Sequence, residues 1–319
     1  MIRRELSEEL QNVQVCEDVS THIYPPLSFS LYGELIKSKQ TFLLLYTAVF
    51  AYLISSWGTK IIFHEFLLFI VGLFFAVSGS TLLNMYIDRD IDALMERTKE
   101  RPLPSNRIPP STVLKHGVLF TTAGILSIGI FVDLMTMFVV FLGFFFDVVV
   151  YSLLLKRRTR LSIIFGGVAG GLPAIAGRTA VIGYVDVAAI LMGLFVLCWI
   201  PLHILTLALI PKNLEGYKNA NIPMWPVTSS KTQTIRVITL SALLCALLIV
   251  LTGVALQVQF IPMLPLLGFS AFILYKSLAN LKNPSDNQTF KIFKLASIYM
   301  AFAFLWLFIG VALSQSFVI

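Results

Sequence analysis

The sequence of 319 residues has little charge and very little cysteine. Only 13% of its residues are charged, about half the share of a soluble globular domain, which argues against disorder, nucleic-acid binding and an ordinary cytosolic enzyme. Cys16, Cys198 and Cys245 are scattered without paired spacing, so they predict neither a disulfide framework nor a thiolate metal site. Hydrophobic residues make up 57% of the chain, and the mean hydropathy is +0.84. These values indicate a polytopic membrane protein.

Long apolar runs predict the membrane spans, because a helix needs about 20 mostly apolar residues to cross a bilayer. Leu134–Leu155 is such a run, interrupted only by Asp147, and Val237–Tyr275 is long enough for two helices with a turn at Gln257–Pro262. The other runs are Gln40–Thr59, Phe66–Ile87, His116–Val132, Leu161–Gly177, Val187–Pro211 and Leu295–Ile319. The sequence therefore predicts an all-α bundle of nine transmembrane helices.

The loop charges predict the orientation of the bundle. With a cytoplasmic N-terminus, all 24 Lys and Arg residues except Lys60 and Arg178 fall on the cytoplasmic side. The net charge of +7 is thus a topology signal. Residues 1–30 contain several acids and no apolar core, unlike a secretory signal or a transit peptide. We therefore expect a cytoplasmic segment over residues 1–36 and the plasma membrane of a bacterium or archaeon.

Three oxygen-bearing side chains share one helix face at the cytoplasmic end of the second span. Asn84, Asp88 and Asp92 are spaced i, i+4 and i+8, which places them within an arc of about 80°. Mg²⁺ takes one or two carboxylates together with phosphate oxygens of a substrate. We interpret this face as a magnesium site rather than as a solvated helix end, because Arg89 and Asp90 point away from it.

Two basic clusters lie on the same predicted side of the membrane. Arg97 and Arg101 directly follow the acidic face, and their guanidinium groups match diphosphate oxygens. Lys156 and Arg157 end the fourth span, where they face the same side as the aspartates. Positive-inside bias alone would also account for such residues. Position favours a diphosphate pocket.

Ionisable residues inside the predicted spans are functional candidates by default. His203 lies deep in the sixth span, where it is either a candidate ligand or a core histidine bonded to a carbonyl near Pro201. Asp147 lies one turn from Tyr151 in the fourth span, and the sequence assigns it no role. The segment 166–177 is rich in glycine, which is typical of closely packed membrane helices.

These clusters resemble the UbiA-type intramembrane prenyltransferases and, among them, the protohaem IX farnesyltransferase (haem O synthase) family. The resemblance runs in order from about Tyr32 to Val227. Its blocks are N-x-x-x-D-x-x-x-D at Asn84–Asp92, Met95–Leu103, Tyr151 with Lys156–Thr159, Pro201-Leu-His203 and Tyr217–Val227. Four blocks depart from the family pattern. The Thr-Lys-Pro-Arg entry motif reads Ile36-Lys37-Ser38-Lys39, and an acid is replaced by Gly216, one residue after Glu215. Ser162 stands where the family has an asparagine, and the Pro-Pro-His-Phe-Trp pattern reads Pro-Leu-His-Ile-Leu at 201–205.

The resemblance implies one UbiA-type domain over residues 37–319, with its helices around a central cavity that opens to the cytoplasm. It implies farnesyl transfer from farnesyl diphosphate to a vinyl group of haem b, with Mg²⁺ and His203 as a haem contact. It assigns catalysis and metal binding to Asn84, Asp88 and Asp92. The implied substrate-binding residues are Lys37, Arg97, Arg101, Tyr151, Lys156 and Arg157. Membrane lipid and haem A synthase or haem–copper oxidase assembly proteins are the expected partners, and nucleic acid is not.

Three other hypotheses stay open at this stage. A related enzyme could prenylate a quinone precursor or a glycerol-phosphate lipid, although such relatives usually carry a second D-x-x-x-D motif, and residues 212–230 contain only Glu215. A transporter would use Asp147 and His203 near the midplane, whereas most charges here lie at the cytoplasmic rim. A haem-insertion protein would need His203 but not the acidic face.

Overall fold

The computed structural model describes residues 28–59 and 62–316, and this part of the chain is helical without any β-strand. Residues 1–27, most of the predicted cytoplasmic segment, lie outside the described part. The helices are α1 (Phe29–Leu35), α2 (Ser38–Ser56), α3 (Phe63–Ile87), α4 (Arg89–Leu94), α5 (Pro110–Phe131), α6 (Leu134–Leu155), α7 (Ser162–Ile182), α8 (Val187–Ala208), α9 (Pro211–Asn219), α10 (Trp225–Thr228), α11 (Lys231–Ala255), α12 (Phe260–Lys282) and α13 (Asp286–Ser316).

The all-α prediction is confirmed, and the described helices correspond in order to the predicted spans. Eight of them, α3, α5 to α8 and α11 to α13, are long and apolar enough to cross a membrane. The remaining predicted span, the first in the chain, corresponds to α2, whose 19 residues include Lys39 and Gln40 in the first turn. These two polar residues lower its hydropathy below that of the other eight. The described residues therefore contain eight helices that meet the length and hydropathy of a membrane span, and α2 is a shorter, less apolar helix at the position of the remaining predicted span.

Two helices occupy the middle of the bundle. α7 packs against α2, α6 and α8, while α8 also contacts α11 and α13. The π-helical half of α6 contacts α3. This contact brings together the two helices that carry most of the predicted site. This half, Phe145–Leu155, begins where the α-helical part of α6 ends at Phe144.

The short helices gather at one end of the bundle, together with the loop over residues 95–109. α1 packs there through Leu31 and Leu35, which join a buried apolar cluster with Leu82 and Leu103. The described residues before position 37 therefore pack onto the bundle. The boundary at 36/37 and the central cavity both stay predictions.

The glycine-rich segment of α7 allows close helix contact on two sides, as expected for membrane helices. A Cβ at Gly177 would overlap the carbonyl oxygen of Ala48 on α2. A Cβ at Gly171 would overlap the carbonyl oxygen of Gly193 on α8. Because both obstacles are backbone atoms, no side-chain rotation relieves them.

We expect Gly177→Ala to lower the melting temperature of the detergent-solubilised protein, because the added methyl group forces α2 and α7 apart. Overpacking of this kind costs about 1–3 kcal/mol. The matched control is Gly268→Ala in α12, where a Cβ would meet no atom within 4 Å. A thermal unfolding curve followed with a thiol-reactive dye measures both. Equal melting temperatures for the two variants would contradict the close contact.

Candidate active site

The three predicted ligand residues lie at the junction of α3 and α4. α3 ends at Ile87 and α4 begins at Arg89, with Asp88 between them. The backbone stays nearly helical through the junction, since the N–H of Asp88 donates to the Asn84 carbonyl and that of Asp92 donates to the Asp88 carbonyl (2.9 and 2.8 Å). The i, i+4, i+8 face therefore survives the junction. All three side chains are buried, with 4–8% exposure.

Each aspartate on this face is paired with a cation from another part of the chain. Lys156, directly after α6, donates to Asp88 Oδ2. Arg101, in the loop after α4, donates from Nη1 to Asp92 Oδ2 at 2.6 Å. Carboxylates buried this deeply are tolerated only when a counter-charge accompanies them. The structure thus brings together four residues that the sequence analysis proposed from separate motifs.

Lys37 is a third cation at the same place. It lies between α1 and α2 with a left-handed backbone (φ 46°, ψ 59°), a conformation that costs a non-glycine residue about 1 kcal/mol or more. Burial, with the neighbouring charges of Arg101 and Lys156, lowers the pKa of Lys37 to about 8. Asp92 and Asp88 act in the opposite direction. The lysine therefore belongs to the electrostatic environment of both aspartates.

The pKa of Lys156 is shifted in the opposite direction from that of Lys37. Burial by itself would lower the pKa of the Lys156 ammonium, but Tyr151 and Asp88 outweigh this effect, and the pKa is raised. Lys156 Nζ lies 5.7 Å from the centre of the Tyr151 ring. The ammonium is therefore charged at neutral pH, and Tyr151 lies beside it.

The loop that carries Arg101 is fixed at both ends. Thr98 Oγ1 donates to the backbone carbonyl of Asp92 at 2.8 Å. Arg107 makes a two-point contact with the Glu34 carboxylate of α1 (3.1 and 2.5 Å). Neither anchor is indicated by the sequence motifs. Helix α1 therefore holds the loop beside the acidic face.

Asn84 is oriented by two residues of the π-helical half of α6. Its Nδ2 donates to Asp147 Oδ2 at 2.7 Å, and its Oδ1 accepts from Ser152 Oγ at 2.8 Å. The sequence motifs assign no role to Asp147 and do not indicate Ser152. Both belong to the site through Asn84.

The donor set of this face suits a hard divalent cation. Asp88 Oδ1 is buried and has no hydrogen-bond partner among the described residues, although buried polar atoms are nearly always satisfied. No three His, Cys, Asp or Glu side chains in the described ranges form a metal cluster, so the candidate set is two carboxylates and one amide. Oxygen-only sites with few carboxylates favour Mg²⁺ when a substrate supplies the remaining oxygens.

Arg97 and Arg157 are placed differently from the other predicted contacts. Arg97 is exposed and lines, with Arg101 and Pro102, an open cleft of about 850 Å³. Arg157 makes a two-point ion pair with Asp90 (2.7 and 2.6 Å) on the exposed side of α4. Arg97 therefore has access to a ligand at the cleft, while Arg157 is not aimed at the acidic face.

His203 lies in a separate contact network between α8 and α13. Its ring stacks between Trp199 and Phe293, with centroids 4.6 and 4.7 Å away. Its Nδ1 is 3.4 Å from Ser297 Oγ, and that hydroxyl donates to the carbonyl of Phe293 at 3.0 Å. A serine thus takes the place of the carbonyl expected near Pro201. The ring is fixed on both faces, which leaves its edge for other contacts.

The lowered pKa of Lys37 predicts pH-dependent anion binding. Below about pH 8 the ammonium is charged and attracts an anion, and above it the charge is lost. We expect the affinity for inorganic diphosphate, at saturating Mg²⁺, to fall about tenfold between pH 7 and 9, as linkage to one proton requires. Calorimetric titration across this range measures the effect.

Lys37→Met should remove most of this pH dependence, while Lys39→Met on the exposed first turn of α2 should retain it. If the diphosphate affinity of Lys37→Met falls with pH as steeply as that of the unmodified protein, the charge of Lys37 does not contribute to anion binding.

Comparison with known proteins places this geometry in a family. The sequence pattern of the UbiA prenyltransferase family matches residues 44–308. A protoheme IX farnesyltransferase of Archaeoglobus fulgidus is 35% identical over 88% of this chain and 97% of its own length.

Two solved structures share the fold. A structure of a digeranylgeranylglyceryl phosphate synthase has a TM-score of 0.73 and 22% identity, covering 88% of this chain and 98% of its own. A UbiA homologue from Archaeoglobus fulgidus, bound to GPP and Mg²⁺, has a TM-score of 0.61 and 16% identity, covering 87% and 99%. These two likenesses support the fold, and the sequence matches decide the family. The chain is a multi-pass membrane protein and belongs to the UbiA prenyltransferase family.

Proposed function

We propose that this protein transfers the farnesyl group of farnesyl diphosphate to a vinyl side chain of haem b, giving haem O for haem–copper oxidases. The observation that carries the proposal is the buried face of Asn84, Asp88 and Asp92 with Lys156 and Arg101 paired to it. The family match and the relative named protoheme IX farnesyltransferase support the choice of donor and acceptor.

Charge balance supports diphosphate binding at this face. Three acids, Asp88, Asp92 and Asp147, lie among three cations, Lys37, Lys156 and Arg101. A magnesium-bound prenyl diphosphate keeps a small net negative charge, and Arg97 at the cleft adds the matching positive charge. The diphosphate therefore enters a site that is close to neutral without it. Arg157 is less suited to binding the diphosphate, because its guanidinium group is already paired with Asp90.

Asn84, Asp88 and Asp92 would hold the metal, which stabilises negative charge that develops on the departing diphosphate. A solved UbiA homologue binds Mg²⁺ together with GPP, which supports this assignment. Lys156 and Arg101 act on the same charge through hydrogen bonds that are already oriented by their aspartate partners. The exposed Arg97 closes on the outer oxygens.

The reaction follows from the arrangement of polar and apolar groups. The C–O bond of the allylic diphosphate breaks, and its electron pair leaves with the diphosphate. The haem vinyl group attacks the allylic carbon, and water captures the resulting cation with loss of one proton. In the central cavity that the family resemblance implies, apolar walls would keep water from the allylic cation before the vinyl group attacks. Tyr151 lies beside Lys156, where the reacting carbon would lie next to the diphosphate.

His203 is proposed to hold the haem. Trp199 and Phe293 clamp the two faces of the imidazole, so only the ring edge can approach an iron atom. Histidine is a common axial ligand of haem iron. The same clamp also fits a core histidine, and the haem-binding experiment below separates the two roles.

The rival acceptor classes receive less support from the residues after α8. Glu215, the only acid in residues 212–230, is exposed on α9, and Gly216 is buried beside Met95. A second carboxylate cluster like the one usual in the quinone and lipid enzymes is therefore missing from this described segment. The likeness to the digeranylgeranylglyceryl phosphate synthase structure concerns the fold.

We infer the orientation from the loop charges. The acidic face, the loop over residues 95–109 and the short helices share one end of the bundle with most of the basic residues. The positive-inside rule places that end, and with it the N-terminus and the active site, in the cytoplasm. Haem A synthase or oxidase assembly proteins remain the proposed protein partners.

The test of the proposed function is an assay on purified membranes with haem b, farnesyl diphosphate and Mg²⁺. Mass spectrometry of extracted haems should find a product heavier by one farnesyl group plus water. Asp88→Asn should lower the rate at least 100-fold, because it removes a proposed metal ligand and unpairs Lys156. Glu96→Gln, in an exposed pair with Lys99, is the charge control and should keep the rate. If the unmodified protein leaves haem b unconverted in this assay, haem b is not the acceptor.

His203→Ala should weaken haem b binding about tenfold or more and leave diphosphate binding unchanged, because His203 lies in a different network from the acidic face. Absorption titration with haem b and calorimetry with diphosphate measure the two separately. Phe290→Ala, which removes an exposed aromatic ring next to Phe293, is the packing control. An unchanged haem spectrum in His203→Ala would assign His203 to the core.

A further inference from the structure

We infer that Asp147 is a positioning residue that fixes the side-chain amide of Asn84 with its oxygen toward the metal face. This inference rests on the proposed metal site and adds to it a residue outside the N-x-x-x-D-x-x-x-D motif. Asp147 is a carboxylate inside a membrane span, which is costly unless it has a partner. Its partner is Asn84 Nδ2 at 2.7 Å.

The chemistry of the two groups decides the orientation. An ionised carboxylate only accepts hydrogen bonds, so Asn84 must present its NH₂ group to Asp147. The amide oxygen then points the other way, where it accepts from Ser152 Oγ at 2.8 Å. A flipped amide would place its oxygen against the Asp147 carboxylate and its NH₂ group toward a cation. Asp147 therefore disfavours the orientation that cannot ligate a metal.

The amide oxygen keeps capacity for a further partner. A carbonyl oxygen has two lone pairs, and Ser152 uses one of them. The second is not used by Ser152, and Asp88, one helical turn further along the same face, has an Oδ1 that is buried without a partner in the described chain. Two oxygens on one face, separated by a single helical turn, thus have unused acceptor capacity. This is the arrangement that a bound cation would use.

The π-helical geometry makes this support possible. Asp147 and Ser152 are five residues apart, and in an α-helix, with 3.6 residues per turn, they would point about 140° away from each other. A π-helix hydrogen-bonds i to i+5, as Lys156 N–H does with the Tyr151 carbonyl at 2.8 Å, so residues five apart come close to one face. Both residues can therefore reach the same Asn84 side chain.

The closing experiment compares two substitutions at position 147. Mn²⁺, detected by electron paramagnetic resonance, is titrated in the presence of S-farnesyl thiodiphosphate. Asp147→Leu should weaken Mn²⁺ binding about 10- to 100-fold, the usual cost of losing a group that orients a metal ligand. Asp147→Asn should stay within about threefold of the unmodified protein, because its amide oxygen still accepts from Asn84. Glu96→Gln controls for the loss of one negative charge.

The outcomes separate this inference from the proposed function. Tight Mn²⁺ binding by both the unmodified protein and Asp147→Leu would overturn the positioning role and leave the metal site intact. Equal losses in Asp147→Asn and Asp147→Leu would also overturn it, because charge rather than hydrogen bonding would then decide. Failure of the unmodified protein to bind Mn²⁺ would overturn the metal site itself, together with this inference.

If Asp147→Leu fails to fold, as judged by haem b absorption and thermal unfolding, Asp147→Ser replaces it. A serine at this position is too short to reach Asn84 Nδ2, and the same loss of Mn²⁺ affinity is expected. A Ser variant that binds Mn²⁺ as tightly as Asp147→Asn would contradict the inference.

Discussion

The cytoplasmic end of this bundle depends on two buried ion pairs, Asp88 with Lys156 and Asp92 with Arg101. Each pair joins the α3–α4 junction to a different element, one to the end of α6 and one to the loop over residues 95–109. Removing one partner of a buried pair leaves an uncompensated charge and costs about 3–5 kcal/mol. The two buried acids are therefore stable only while α6 and the loop remain in place. The loop is in turn held by α1 through the ion pair of Arg107 with Glu34.

The sequence predicts those parts of the structure that depend on local periodicity. Apolar runs predict the long helices, and the i, i+4, i+8 spacing predicts the face of Asn84, Asp88 and Asp92, because both depend on the regular turn of one helix. The segment after α8 forms two short helices, α9 and α10, which no apolar run indicates. Pro211 explains the break, since proline lacks a backbone N–H and is suited to the first turn of a new helix.

The choice of partners across the bundle is beyond local periodicity. Lys156 and Arg157 are neighbours in a basic run, and sequence alone gives no reason to separate them. The π-helical half of α6 changes the phase of the side chains, so Lys156 meets Asp88 while Arg157 meets Asp90. The same change of phase gives Asp147 its partner. Nor does the sequence indicate that Lys37 adopts a left-handed backbone, since this conformation is imposed by the packing of α1 and α2.

The paired charges also bear on how the proposed metal ion and diphosphate would bind. A metal ion alone would compete with Lys156 and Arg101 for the carboxylates, and a diphosphate alone would compete with the carboxylates for the same cations. With both bound in the proposed site, the carboxylates would hold the metal and the cations would hold the diphosphate, so the charges would remain paired. Each ligand thus raises the affinity for the other by the same factor. A site whose charges are already paired would therefore bind the metal–diphosphate complex better than either component alone. This preference suits a reaction that must begin only when the donor and its metal are bound together.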